Sequence, residues 1–232
     1  ALFLPLAIPT YIMAFTYSDL LSYTGPLQSY LRNNYPDFSN IFNNDYLQIE
    51  ILGILLGLAL YPYVYTASRV SFSLIGSTYI NMSKNLGLSS TKLFFKVIIP
   101  LSKPAIFSGL FLVIMEVLNE YGAVKYFGVN TYTTGIFRAW FSMGNENTAI
   151  QLACLLIFLV FIILFIEKLS HKKSKFYYSA NSKIEKLSTP TSNKYLYIYS
   201  LCSLPFILGF LIPFFYILNN SILNFKNIDF SR

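Results

Sequence analysis

The chain alternates between long apolar runs and shorter polar segments. The apolar runs extend from Ala1 to about Leu21, Ile51 to Ser68, Ala105 to about Leu118, Leu152 to Ile166 and Tyr195 to Leu218. At about 1.5 Å per residue, helices over these runs, extended by flanking residues, approach the roughly 30 Å hydrocarbon core of a bilayer. Prolines inside the runs are compatible with this, because membrane helices tolerate them. The pattern predicts five membrane-spanning helices and an all-α polytopic membrane protein.

The composition agrees with this prediction and excludes an ordinary soluble domain. Hydrophobic residues make up 55% of the 232 residues, charged residues only 12%, and the mean hydropathy is +0.53. Soluble domains carry about 25% charged residues. The net charge of +7 would suggest nucleic acid in a soluble chain. In a membrane protein it is first a topology signal, because Lys and Arg accumulate in cytoplasmic loops.

The basic residues are concentrated in two polar segments. Residues 69–103 contain five basic residues and no acid, and residues 168–194 contain seven basic residues against Glu185 alone. Residues 22–50 carry one basic residue against three acids, and residues 122–150 carry two basic residues against one acid. The first pair is predicted to be cytoplasmic and the second pair to face outward. The excess charge then reflects topology and contact with membrane lipid, and no nucleic-acid partner is expected.

The basic segment at 168–194 lacks apolar periodicity. Its HKKSK cluster is followed by Ser, Asn, Thr and Pro residues. This composition is typical of a flexible connection and predicts a cytoplasmic linker that anionic lipid attracts.

The other basic segment, residues 70–104, is predicted to fold. Thr78 to Leu86 predicts a short helix that ends at Gly87, where glycine suits a left-handed C-cap. Ser89 or Ser90 then caps a second helix through Val97. Pro100 and Pro104 are expected to terminate this helix.

The second of these helices is amphipathic in its pattern. Lys92 and Lys96 form a basic side, whereas the apolar side consists of Leu88, Leu93, Phe94 and Val97. Such a helix lies at a membrane surface or docks into the groove of a partner.

The same segment resembles the membrane permease subunits of binding-protein-dependent ABC importers. Their cytoplasmic signature reads EAA, three residues, Gly, nine residues, Ile, any residue, Leu, Pro. The matching stretch here is NMSKNLGLSSTKLFFKVIIP. Gly87, the nine-residue spacing and Pro100 match, and Val97 and Ile99 are conservative replacements. The EAA positions hold Asn81, Met82 and Ser83, so the acidic residue of the signature is absent.

The resemblance implies a role for this loop and a set of partners. In the family the loop fits a cleft on the ATPase subunit, and a periplasmic or lipoprotein substrate-binding protein delivers the cargo. The coupling residues implied here are Asn81, Gly87, Leu88, Ser89, Lys92, Leu93, Phe94 and Pro100. No GxxxxGK[ST] phosphate-binding sequence occurs in the chain. ATP hydrolysis is therefore expected on a separate ATPase dimer, with neither enzymatic chemistry nor a cofactor on this chain.

Three further stretches are similar to the ferric iron permeases of this superfamily. They read LPLAIPTYIMAFTYSDLL, ALYPYVYTASRVSF and MEVLNEYGAVKYFGVNTYTTGIFRAWFSMGN. The resemblance implies a type I permease bundle in the bacterial cytoplasmic (inner) membrane. Such permeases are commonly fused duplications. We therefore expect a partial first half with four spans at 1–167, the linker at 168–194 and the first span of a second half at 195–232.

Polar residues near the end of the third run are candidates for the cargo path. Glu116 and Glu120 are four residues apart and are expected on one helical face. Carboxylates are costly in lipid, so they should face the bundle interior, a water-filled path or the interface. Together with Tyr121 they offer oxygen atoms that suit a hard cation such as ferric iron. Helix packing or an interfacial position explains them equally well.

Several functions remain open from the sequence. The leading interpretation is an ATP-driven ferric iron importer, and the same importer class with thiamine or another small solute is the nearest alternative. A secondary transporter that uses Glu116 and Glu120 as proton carriers is a second. A membrane scaffold that only binds another chain through the 70–104 loop is a third. Neither of the last two gives the loop a role in transport.

Overall fold

The computed structural model describes residues 1–35, 46–75, 77–172 and 192–226. This part of the chain is helical and contains no strand. In chain order its helices are α1 (Thr10–Leu21), α2 (Pro26–Asn34), α3 (Ile49–Leu74), α4 (Ser77–Asn85), α5 (Ser90–Asn119), α6 (Gly122–Tyr126), α7 (Tyr132–Phe137), α8 (Glu146–Lys172) and α9 (Ser192–Phe206, continuing over Ile207–Leu211 and Ile212–Lys226). The all-α prediction is confirmed. Most of the predicted linker, residues 173–191, lies outside the described residues.

Four of the described helices are long and apolar enough to cross a membrane. They are α3, α5, and the segments Glu146–Leu169 of α8 and Tyr195–Leu223 of α9. Each contains the core of a predicted span and is longer than the apolar run that predicted it. Flanking polar residues complete the length that the hydrophobic core of the bilayer requires.

The prediction of a span at Ala1–Leu21 is wrong. A 3₁₀ turn at Leu4–Ala7 is followed by extended backbone at Ile8, and α1 then begins after Pro9. Proline has no N–H to donate and disfavours helical backbone in the residue before it, and Ile8 has extended backbone here, so the helix is interrupted at this point. Helix α1 has 12 residues. It is therefore about 18 Å long and too short to cross.

Helix α5 passes through two prolines that were expected to end it. The helix runs from Ser90 to Asn119 with a π-helical turn at Phe94–Ile98, so the prediction that Pro100 and Pro104 terminate it is wrong. In this turn the Ile99 N–H donates to the Phe94 carbonyl, five residues back. Local π turns of this kind supply partners for backbone groups that a proline would leave unpaired.

The same combination of a π turn and a proline occurs in α9. A π-helical turn covers Ile207–Leu211, and Pro213 follows two residues later. The Ile212 N–H donates to the Ile207 carbonyl. Both membrane helices therefore pair a π turn with a proline at the same spacing.

The described residues divide into two compact units. The first contains the described residues of 1–60, 119–153 and 195–226, and the second those of 61–118 and 154–194. In the first unit α1 is the central element. Phe15 packs edge-on against Tyr126 of α6 with ring centroids 5.5 Å apart. On another side the Tyr17 hydroxyl donates to the Leu208 carbonyl of α9 at 2.5 Å.

The second unit is held by close packing between α3 and α5. A Cβ on Gly109 would lie 2.8 Å from the Val64 Cα and 3.2 Å from the Ala67 Cβ. Such approach is typical of membrane helices, where small residues let backbones come together. In the same unit the Ser108 hydroxyl donates to a Glu167 carboxylate oxygen of α8 at 3.1 Å.

We predict that Gly109→Ala destabilises the protein, because the added methyl must push against the backbone of α3. Overpacking of this kind costs about 1–3 kcal/mol. Gly57→Ala is the matched control, because nothing lies within 4 Å of a Cβ at Gly57 and alanine favours the helix. Thermal unfolding of the detergent-purified protein should show a lower midpoint for the first variant and no loss for the second. Equal midpoints would contradict the packing described.

Candidate functional site

The loop between α3 and α5 forms the predicted helix, glycine turn, helix. Helix α4 ends at Asn85, and Gly87 follows with φ of +76°. The Leu88 N–H donates to the Ser83 carbonyl at 3.1 Å, which closes a Schellman turn with glycine at its left-handed position. Residues with a side chain strain this backbone, so glycine is the natural choice. The prediction of a glycine C-cap is confirmed.

The second arm of the loop begins at Ser89 and Ser90, as predicted. Ser89 has extended backbone and Ser90 is the first residue of α5. The Leu93 N–H donates to the Ser89 carbonyl at 2.8 Å, but the Ser89 side chain makes no capping hydrogen bond. Leu93 is buried, and Phe94 packs against Phe72 of α3 with ring centroids 6.3 Å apart. These two residues anchor the arm within its own unit.

The surface of the loop is partly apolar. Asn81, Lys92, Lys96 and Pro100 are exposed, and Leu88 is half-buried. The most exposed apolar side chains are Leu86 at 81%, Phe95 at 62% and Met82 at 61%. Phe95 lies in α5, within a segment long enough to cross a membrane. We call the other two residues, Met82 and Leu86, the apolar tip. Sequence reasoning did not select them, although Met82 and Leu86 are four residues apart and share a face of α4.

Glu120 lies beyond the end of a helix and joins three parts of the first unit. Helix α5 ends at Asn119, so the helical register that was expected to align Glu120 with Glu116 does not continue. The Glu120 carboxylate accepts hydrogen bonds from the Thr10 hydroxyl of α1 and, at 2.9 Å, from the Ala123 N–H of α6. Its backbone carbonyl accepts a bond from the Thr133 hydroxyl of α7 at 2.7 Å.

The other two path candidates have different surroundings. The Tyr121 ring stacks on Phe137 with centroids 3.9 Å apart. The Glu116 side chain is exposed and makes no hydrogen bond within the described part of the chain. The structure thus places Glu120 and Tyr121 in contacts between helices and leaves the Glu116 carboxylate open. Among the described residues no three His, Cys, Asp or Glu side chains are grouped to hold a metal ion.

Comparison with protein families gives a match over most of the chain. Residues 2–171 match the family described as the binding-protein-dependent transport system inner membrane component. The matched range contains the loop between α3 and α5 and three of the four helices that are long and apolar enough to cross a membrane. No solved structure matches the chain.

A curated relative is the Fe(3+)-transport system permease protein FbpB 2 of Haemophilus influenzae. The two are 26% identical over 182 residues, which cover 77% of this chain and 31% of the relative. The chain therefore spans about a third of the length of that relative.

We predict that Glu120→Ala destabilises the protein, because the Ala123 N–H and the Thr10 hydroxyl lose their acceptor. Leaving such groups unpaired costs about 1–3 kcal/mol. Glu116→Ala is the matched control, and the open carboxylate there predicts a change within about 0.5 kcal/mol. Thermal unfolding in detergent measures both. A Glu116 variant that loses as much stability as the Glu120 variant would refute this assignment.

Proposed function

We propose that this protein is the permease subunit of an ATP-driven ABC importer that carries ferric iron. The proposal starts from the family, because the chain belongs to the binding-protein-dependent transport system inner membrane components. The multi-pass helical structure and the family support a transport role. In this proposal the protein lies in the bacterial cytoplasmic membrane. A substrate-binding protein delivers cargo outside, and an ATPase dimer binds inside.

The observation that carries the proposal is the loop between α3 and α5, residues 75–93, which we call the coupling loop. Its arms are fixed internally by the Schellman turn at Gly87 and by the buried Leu93, yet the apolar tip stays exposed. Exposed apolar groups on a rigid turn favour docking into a groove, because their burial removes apolar surface from water. Lys92 and Lys96 are exposed near the start of α5, and in this proposal they meet acidic groups of the ATPase.

The architecture of α5 supports a way to transmit movement. Its 30 residues run without interruption from Ser90, beside the coupling turn, to Asn119. The helix is thus about 45 Å long. Closing of an ATPase dimer on the tip would shift α4 and the start of α5. A packed helix then moves as a rigid element, and the cargo path opens alternately to each side.

The iron assignment rests on the name of the relative and on the chemistry of the path candidates. The relative is a Fe(3+)-transport permease at 26% identity. Glu116, Glu120 and Tyr121 remain candidates for the path, and Glu116 has the carboxylate that is open to meet a cation. Carboxylate and phenol oxygens suit a hard cation, and a conduit must bind weakly enough to release its cargo.

We also propose that the chain carries part of a fused pair of permease halves. The family match ends at residue 171, and α9 follows beyond the basic linker. Residues 1–167 would then belong to the first half, 168–194 to the linker and 195–232 to the second half. The share of the relative that the chain covers, 31%, is in line with further helices in the complete protein.

Uptake into proteoliposomes tests the proposal against its alternatives. The vesicles contain the full-length permease and its ATPase, and receive the binding protein with ferric iron or with thiamine. ATP-dependent accumulation of iron alone is the expected result. Accumulation of thiamine alone would show that the cargo is thiamine and not iron. Uptake driven by a proton gradient without ATP would show instead that the protein is a secondary transporter. If the ATPase binds but no cargo crosses the membrane, the protein is a scaffold.

We predict that Leu86→Asp weakens binding of the ATPase at least tenfold. A charge on the apolar tip must be desolvated in the groove, whereas the exposed position keeps the fold intact. Met143→Asp is the matched control, because Met143 is 64% exposed and belongs to a segment predicted to face outward. Titration of purified ATPase onto the permease in nanodiscs gives both affinities. Unchanged affinity for the Leu86 variant would remove the tip from the interface.

A further inference from the structure

A cavity of about 480 Å³ opens in the first unit beside α6 and α7. One wall carries Tyr121 and Lys125, at the start and end of α6. The other wall carries Thr134, Phe137, Arg138, Phe141 and Ser142. Ligand pockets for small molecules have volumes of about 300–1,000 Å³. The cavity is therefore the right size for a small organic ligand. Its lining contains no residue of the coupling loop and shares only Tyr121 with the candidates for the cargo path.

Local structure places the lining residues of the second wall on one face. Thr131 caps α7, with its side chain accepting from the Thr134 N–H. The helix continues as a π turn over Arg138–Ser142 and stops before Gly144, whose φ is +59°. Lining positions 134, 137, 138, 141 and 142 recur at intervals of three and four, which puts them on one side of a helix.

The cavity is positively charged. Lys125 and Arg138 both line it, and the sequence from 121 to 145 contains no Asp or Glu. Within the described part of the chain neither cation has a carboxylate partner. The Lys125 ammonium instead lies 5.6 Å from the centre of the Tyr121 ring. Two unpaired cations with hydroxyl groups beside them favour an anion, and the planar guanidinium suits a carboxylate.

Three of the residues that line the cavity form a stack of aromatic rings. Phe137 lies between Tyr121, with centroids 3.9 Å apart, and Phe141, with centroids 5.9 Å apart. Phe141 at the end of this stack is 75% exposed, so part of its ring is free for a further planar group. Stacking of one more ring would add to an interaction with the cations. A hydrated inorganic ion would use the charges alone.

We infer that this cavity binds a small aromatic carboxylate, with its acid group at Arg138 and Lys125 and its ring against Phe141. The proposal goes beyond the transport function and does not depend on it, because binding requires neither ATP nor a partner protein. The headgroup of an anionic lipid offers the same negative charge without the ring. The two sources can therefore be separated by the choice of probe and of lipid.

The test is equilibrium binding of phthalate, which has two carboxylates on one ring, to the full-length protein in nanodiscs of neutral lipid. Calorimetric titration should show saturable binding of phthalate, weaker binding of benzoate and inorganic phosphate, and none of benzyl alcohol. Arg138→Gln and Lys125→Gln should each weaken phthalate binding about tenfold. Phe141→Leu should weaken phthalate but not inorganic phosphate.

Controls and contrary outcomes are defined by the same titration. Arg69→Gln removes an exposed cation that does not line the cavity and should leave the affinity unchanged. Absence of saturable phthalate binding up to 10 mM, on the order of the weakest specific affinities, would overturn the proposal. Equal affinity for phthalate and inorganic phosphate would do so as well. Binding that disappears in nanodiscs of anionic lipid would assign the cavity to a lipid headgroup instead.

Discussion

The need to satisfy every backbone hydrogen bond inside lipid governs this structure. In a bilayer core no water is present to replace a lost partner, so the backbone groups of a spanning helix must find their partners within the protein. Helices α5 and α9 stay continuous although each contains prolines, and a π turn lies two residues before Pro100 in one and before Pro213 in the other. The widened turn in α9 also leaves the Leu208 carbonyl in reach of the Tyr17 hydroxyl. The same irregular turn therefore serves both the continuity of a helix and its packing.

That continuity connects the coupling loop to the rest of the protein. The Schellman turn at Gly87 sets the angle between α4 and α5, and Leu93 holds the start of α5 in the second unit. From there one helix runs to Asn119, and the next residue, Glu120, is bonded to α1 and α6. Along the chain, a single continuous helix therefore lies between the turn at Gly87 and the hydrogen bonds of Glu120.

The sequence predicted the features that depend on local chemistry. Apolar length identified four spanning helices, and a glycine followed by serines identified the turn at Gly87. Where one local rule competed with another, prediction failed. Pro9 directly precedes the first turn of α1, whereas Pro100 lies inside α5, two residues after a π turn. The spacing of Glu120 from Glu116 predicted that both lie on one helical face, but α5 ends at Asn119. The Glu120 carboxylate instead accepts a hydrogen bond from the first turn of α6. Contacts distant in sequence, such as Thr10 with Glu120, leave no periodic signal.

The central claim is that the loop around Gly87 lies on the side of the membrane where ATP is present. Single cysteines at Leu86 and Met143, introduced into the full-length protein without other cysteines, can be labelled with a maleimide that does not cross membranes. The account predicts that intact cells label position 143 alone and that position 86 reacts only after permeabilisation. Labelling of position 86 in intact cells would contradict the account, because the apolar tip would then face away from any ATPase.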